Sequence, residues 1–413
     1  MKILFVTHFL PYPPNDGGRI GYYNPLKYLS RRHEMVLASI VSPGQESDVA
    51  ALRPFCAEVV TYEPSPAERR RSLVRAVAGS PPGTAGRYFH PGFGAVLAET
   101  VRKHRPDIVE FQHLNTAAYL PYGSGPVPIL REHNIEYKVW DRYVEHMSAG
   151  PRRWALGAVA RRVRQYEAAA APRFARCVCV SEADESFLRE VAPEARVTTI
   201  PSGVDAEYFT ADESAEQPYS MVLTGSFVWK PKQHNLRRLV SEIFPRIRAA
   251  EPRATLAVVG KGVPPELRAL AEANGVVVTG MVPDVRPYVR TASLVLNYLE
   301  AGGGIALKVL EAFAMRKAVL SNGLGIEGIP GAEAHCAVAD DVEQFARTAA
   351  DLLANAGKRR ALAESAYGFV RRDYAWDSLA RRFEALYREV LDERADAAPG
   401  SRAPALVNSR GWD

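Results

Sequence analysis

Short apolar runs alternate with longer segments of helical period along most of the chain. In the first half the runs are Ile3 to Val6, Met35 to Val41, Asp107 to Phe111, Pro128 to Glu132 and Cys177 to Val180. Runs of this length predict strands buried on both faces, as in a parallel sheet whose crossovers are helices. The rhythm starts afresh after Pro201-Ser202-Gly203 and the polar stretch Asp212 to Pro218. New runs follow at Ser220 to Thr224, Thr255 to Val259, Val276 to Thr279, Leu294 to Asn297 and Ala318 to Ser321. The pattern predicts two doubly wound α/β halves joined near residue 200, with a ligand in a cleft between them at the carboxyl ends of the strands. From Ser378 to Arg394, Leu379, Phe383, Leu386, Tyr387, Val390 and Leu391 recur at three- and four-residue spacing, an amphipathic helix that closes the fold. The expected divisions are 1–198, 199–374, a closing helix at 375–394 packing back towards the first domain, and a disordered tail at 395–413.

Composition narrows the class. With 413 residues, 24% of them charged and 47% hydrophobic, the chain reads as a soluble two-domain protein and not as a disordered or collagen-like one. A net charge of +5 is too dilute for a nucleic-acid footprint, but it leaves acidic ligands open. Cys56, Cys177, Cys179 and Cys336 have neither metal-ligand spacing nor disulfide density, which points to the cytoplasm. The opening run is short, ends at Pro11 and Pro13, and reads as a strand and not as a targeting signal. No stretch approaches the roughly 20 apolar residues of a spanning helix.

Chemistry concentrates where strands meet helices. After the first strand, Asp16-Gly17-Gly18-Arg19 leads into a helix whose pattern begins near Ile20, and glycine there lets a backbone approach an anion. Gly302-Gly303-Gly304 precedes the apolar helix that carries Lys308 and Glu311. Three adjacent glycines cost backbone entropy without adding packing, so the natural guest is a diphosphate. Lys308 would supply a countercharge and Glu311 would accept from a ribose; the alternative is an ordinary surface ion pair. Lys230 and Lys232 sit in a cationic loop that leads into a helix, and the Gly280-Met281-Val282 turn offers main-chain groups to a flat base. In the first half His113 and His133 stand near strand termini, where an imidazole can donate to a substrate hydroxyl or a departing phosphate. Polar Glu132, Asn134 and Glu136 surround His133 in sequence, which favours it over His113. Arg152, Arg153, Arg161, Arg162 and Arg164 interleave with Trp154, Leu156 and Val159, either a solvated helix face or a peripheral contact with an anionic membrane.

Together these stretches resemble a GT-B glycosyltransferase of the large retaining glycosyltransferase family 4, over residues 1 to about 392. The resemblance is carried by the strand and glycine loop Lys2 to Gly18, by Ile200-Pro201-Ser202-Gly203-Val204-Asp205, by Gly280-Met281-Val282-Pro283-Asp284, and by Gly302 through Lys308-Val309-Leu310-Glu311-Ala312. It implies two Rossmann-like domains facing each other across a cleft and transfer of a sugar, with retention, from a nucleoside diphosphate sugar to a glycan, lipid-linked or small-molecule acceptor. The nucleotide sugar is a co-substrate, and neither cofactor nor metal is implied. By the same resemblance Gly17 and Gly18 approach the donor diphosphate, Lys230 or Lys232 holds it, the Gly280 to Val282 turn faces the base, Glu311 binds the ribose and His133 lies near the sugar. Arg19, His113 and Asn134 are candidates for the sugar or acceptor. Two positions depart from the family pattern: Ser226 stands where an arginine is common and Gly303 where a first glutamate is common. These departures make a binding-only homologue a competing reading, beside the rival enzyme readings of a nucleotide-sugar epimerase and a glycan phosphorylase. The wording of the Pro11 to Asn15 and His133 to Tyr137 segments tilts the acceptor towards a bacterial surface polysaccharide, with a secondary metabolite as the alternative.

Overall fold

The structure, a computed structural model, describes residues 1–145, 147–212, 216–300 and 304–396. It divides into two compact units, Met1–Pro201 with the chain from Ala380 onward, and Ser202–Leu379. The proposed tail lies almost wholly outside the described residues, which end at Asp396.

The first unit is built on seven parallel strands: β1 (Lys2–Thr7), β2 (Glu34–Ile40), β3 (Glu58–Tyr62), β4 (Ile108–Gln112), β5 (Val127–Glu132), β6 (Arg176–Cys179) and β7 (Val197–Thr199), in the order β3-β2-β1-β4-β5-β6-β7. The second holds β8 (Ser220–Thr224), β9 (Thr255–Val259), β10 (Val277–Gly280), β11 (Leu294–Asn297), β12 (Val319–Ser321) and β13 (Ala337–Val338), in the order β10-β9-β8-β11-β12-β13. Both sheets therefore start in the middle, run outward to one edge, and return to cross to the other side, the doubly wound arrangement. Ile3, Leu4, Phe5 and Val6 are fully buried, as are Ile108, Val109 and Phe111 beside them. Burying such side chains stabilises by roughly 1.5–3 kcal/mol each, which is why the central strands read so clearly as uninterrupted apolar runs.

Sequence reasoning missed β3, β7 and β13, which all lie at or near sheet edges. The β3 residues are mostly half-buried, and β7 and β13 have only three and two residues, so none presents a continuous apolar run.

Gly203 shows what the Pro-Ser-Gly-Val-Asp segment does. Val204 pairs with Ala375 as an isolated bridge, and a Cβ at Gly203 would collide with the Tyr374 carbonyl and Leu379. The closing helix Trp376–Asp396 starts there and continues into the first unit. In the first unit Arg176 pairs with Glu389 at 2.7 Å and Glu393 at 2.8 Å, while Arg32 and His33 reach Glu384 at 2.9 and 3.2 Å. Its apolar face buries Leu379, Phe383, Leu386, Tyr387 and Val390; Leu391 is only half-buried.

Candidate active site

In the first sheet three neighbouring strands each end in a histidine. β1 stops at Thr7, β4 at Gln112 and β5 at Glu132, and His8, His113 and His133 follow directly. Parallel strands in register end at one level, so the rings collect at the carboxyl edge of the sheet. The His8 and His113 ring centroids lie 5.6 Å apart, and those of His113 and His133 6.4 Å apart with planes parallel to 2°. Tyr22, on the helix Gly17–Leu29, contacts both His8 at 6.0 Å and His133 at 4.6 Å between centroids. Gly21 beside it leaves room for the imidazole, since a Cβ there would lie 2.9 Å from His133 Nδ1.

A buried chain of hydrogen bonds fixes His133. The Tyr387 hydroxyl donates to Glu110 Oε2, the Gln112 amide donates to Glu110 Oε1 at 2.6 Å, and Gln112 Oε1 stands 2.9 Å from His133 Nε2. With its amide nitrogen spent on Glu110, Gln112 offers only an acceptor, which assigns the proton of a neutral His133 to Nε2 and leaves Nδ1 as a hydrogen-bond acceptor. Burial, then the Arg131 charge, holds the His133 pKa well below the ordinary imidazole value, so the ring is neutral at neutral pH. Sequence alone suggests a donor ringed by Glu132, Asn134 and Glu136. The structure instead makes the free nitrogen an acceptor and sends those groups elsewhere. Glu132 accepts from the Leu114 amide at 3.0 Å, Glu136 lies 3.3 Å from His113 Nε2, and Asn134 is exposed.

His113 is buried at a φ of 79°, and its Nδ1 accepts from the Asn115 amide at 3.4 Å, so both its nitrogens are engaged within the protein. His8 was not singled out by sequence, although it carries the same signal, a histidine directly after a strand. Glu110, Gln112 and Tyr387 left no such trace, because what joins them is tertiary contact. Beside the histidines a cavity of about 340 Å³ is lined by His8, Phe9, Asp16, Arg19, Gln45 and Tyr88, among others. Asp16 caps the Gly17–Leu29 helix by accepting from the Arg19 amide at 3.0 Å, and it also pairs with the Arg19 guanidinium at 2.6 Å. The helix thus starts at Gly17, three residues earlier than its apolar pattern indicates, and both Gly17 and Gly18 are exposed in its first turn.

In the second unit the helix Leu307–Ala314 follows β11 and receives no side-chain cap from Ala306. Lys308 and Glu311 project from its first and second turns and are half-buried. Among the described residues neither side chain makes an ion pair or hydrogen bond, so the surface-pair alternative is not what forms. Burial, then the nearby Lys232 charge, lowers the Lys308 pKa to about 8, and burial raises that of Glu311 to about 7. Lys230 and Lys232 are exposed in the first turn of the helix Lys230–Arg238. Gly280 ends β10 at a φ of 76°, and its carbonyl accepts from the Gly260 amide at 3.0 Å. Met281 is 74% exposed, whereas Val282 is half-buried and packs on the core. Gly304 has a φ of 80° and is exposed; Gly302 and Gly303 lie outside the described residues. Glu300, a conceivable substitute for the first carboxylate, is tied to His234 at 2.9 Å and Arg238 at 3.0 Å. Among the described residues no group of His, Cys, Asp or Glu is arranged to hold a metal.

Two Rossmann-like units, with chemistry-bearing side chains gathered where strands give way to helices, define a protein of the GT-B class. The structure is similar to sucrose-phosphate synthase from Thermosynechococcus elongatus, with a TM-score of 0.66 and 17% identity over 95% of this chain and 100% of that one. It is also similar to HepE from Anabaena in complex with UDP, with a TM-score of 0.66 and 14% identity over 94% and 100%. A third similar structure, α,α-trehalose 6-phosphate synthase from Burkholderia multivorans, has a TM-score of 0.61 and 11% identity over 95% and 99%. No curated protein sequence matches the chain. Residues 51–208 match the family described as Glycosyltransferase Family 4, and residues 218–355 match Glycosyl transferases group 1. The chain belongs to the GT-B glycosyltransferases of family 4.

Proposed function

We propose that this glycosyltransferase moves a sugar from a nucleoside diphosphate sugar to an acceptor hydroxyl, with retention and without a metal. The observation that carries the donor assignment is the Lys308 and Glu311 pair, unpartnered on one helix start with Lys232 near it. A cation at a helix N-terminus suits a diphosphate, and a carboxylate one turn on suits the two hydroxyls of a ribose. Gly17, Gly18, Lys230 and the glycine run would add main-chain and lysine contacts to the diphosphate, and the Gly280 to Val282 turn would meet the base. HepE, which shares the fold, has been crystallised with UDP and with UDP-glucose, which makes uridine the first base to test.

In the reaction the bond from the anomeric carbon to the diphosphate oxygen breaks, a bond to the acceptor oxygen forms, and the acceptor proton is released. Most of the barrier lies in separating the diphosphate from a cationic sugar, so lysines and helix amides that stabilise the leaving group supply the main catalytic contribution. His133 is assigned to the sugar as a neutral acceptor through Nδ1. The cavity walled by Phe9 and Tyr88 and edged by Asp16, Arg19 and Gln45 suits a hydroxyl-rich acceptor. Retention rests on the family resemblance, as does the bias towards a surface polysaccharide.

The test is a thermal-shift screen of the purified protein against UDP, GDP, ADP, dTDP and their sugar conjugates in metal-free buffer, since a ligand that binds the native state raises the melting temperature. A selective shift that Glu311→Ala and Lys308→Ala abolish is the expected result. No shift with any nucleotide would overturn the donor assignment.

A further inference from the structure

We propose that one face of the first unit docks on an anionic membrane surface. The face is made by two helices, Pro66–Ala78 and Pro151–Ala170. The first leaves Leu73, Val74 and Val77 exposed at 53%, 68% and 65%, on the same side as Arg70. On the second, Trp154 is 74% exposed, and Arg161, two turns on, shares its side. Among the described residues nothing covers either apolar set, and a tryptophan this exposed is costly in water.

The two helices are fastened to each other. Arg162, next to Arg161, donates to the Val77 carbonyl at 2.7 Å and also to that of Gly79. Val77 and Arg162 are therefore neighbours, which brings the basic second helix up to the apolar end of the first. The charge on that surface is one-sided. The two helices hold nine arginines against two glutamates. Glu167 is buried, where it accepts from the amides of Glu136 and Tyr137 at 3.0 and 2.9 Å, and Glu68 is engaged by Ser65 and Tyr62. Among the described residues Arg70, Arg71, Arg152 and Arg161 have no ion-pair partner. A chain with a net charge of only +5 has thus placed unpaired guanidinium groups beside exposed apolar side chains on these two helices. Arginines at the level of phosphate headgroups, with Trp, Leu and Val reaching past them, are what an acidic bilayer surface binds. An acidic protein would complement the charge but not the scattered aliphatic tips.

The test is co-sedimentation of the full chain with phosphatidylcholine vesicles and with vesicles that also contain phosphatidylglycerol, at low and high salt. Binding to the acidic vesicles only, weakened by salt, is expected. Arg70→Gln with Arg71→Gln should lower the partition coefficient by roughly thirtyfold. Trp154→Ser with Val77→Ser should weaken binding while keeping its salt dependence, and Arg347→Gln, exposed in the second unit, should change nothing. All these positions are at the surface, and melting curves of each variant report its folding directly. No sedimentation with acidic vesicles at low salt, or equal sedimentation of all variants, overturns the proposal. The vesicle readout needs no nucleotide, so its failure is separable from failure of the donor assignment.

Discussion

In the first unit His133 is held by a chain of side chains that runs through Gln112 and Glu110 to Tyr387, which stands 254 residues further along the sequence. In the second unit Lys308 and Glu311 stand three residues apart on a single helix and, among the described residues, their side chains bond to nothing in the protein. One site is completed by the protein itself, which sets a tautomer in advance. The other is left with opposed, partly desolvated charges whose pKa values are drawn towards neutrality, a state that a charged ligand relieves. The first arrangement favours fixed geometry and the second favours affinity, and the two should fail differently when cut.

The largest effect is expected at the open pair. Lys308→Ala should lower kcat/KM for sugar transfer by about a hundredfold, the scale of losing one stabiliser of a developing anion, and Glu311→Ala should weaken nucleotide binding by removing the acceptor for the ribose hydroxyls. Nucleotide affinity should also trace a narrow bell in pH. Glu311, raised to about 7, must lose its proton to accept from a ribose, so affinity falls as the pH drops below 7. Lys308, lowered to about 8, must keep its proton to hold a diphosphate, so affinity falls as the pH rises above 8. In a titration of nucleotide binding against pH, Glu311→Gln should flatten the acid limb and Lys308→Met the alkaline limb. Limbs that do not respond to these substitutions would assign the titration to other groups.

A smaller effect is expected at the closed site. Gln112→Leu removes the acceptor that fixes the His133 tautomer, and roughly a tenfold to hundredfold loss of kcat is expected with nucleotide affinity unchanged. A parallel loss of nucleotide binding would mean that the substitution had disturbed the fold instead. Tyr387→Phe takes one donor from the buried Glu110 carboxyl, whose pKa burial already raises. A stability loss of about 1–3 kcal/mol in denaturant unfolding is expected, with a smaller effect on turnover.

The same contrast governs what could be read from the sequence. Ten strand runs and the order of two doubly wound halves were legible because burial on both faces forces continuous apolar stretches. Lys308 and Glu311 could be named as candidates because the features that point to them, a strand, a glycine run and a helix start, are all within a dozen residues. Gln112, Glu110 and Tyr387 were not, because a hydrogen bond between residues far apart in the chain leaves no local pattern. His133 could be named as a candidate from its place after a strand, but its tautomer is decided by Gln112 and not by the Glu132, Asn134 and Glu136 that flank it, which no local pattern reveals. Edge strands such as β7 escaped for the reason that central ones did not, being too short and too little covered.

The finest probe of the preset site is Gly21→Ala. Alanine is favoured over glycine inside a helix by roughly 1 kcal/mol, so the substitution should help the helix Gly17–Leu29 in isolation. Against that, the new Cβ would stand 2.9 Å from His133 Nδ1 and 3.0 Å from Cε1, closer than ordinary packing allows. The ring is the part able to yield, since the helix backbone is fixed by its own ladder. A turn of the ring would stretch its 2.9 Å bond to Gln112 and shield Nδ1 with a methyl group. The two contributions to stability then nearly cancel, and the melting temperature should move little while kcat falls severalfold. A variant that loses stability and keeps its turnover would show that the imidazole does not need the orientation it has here.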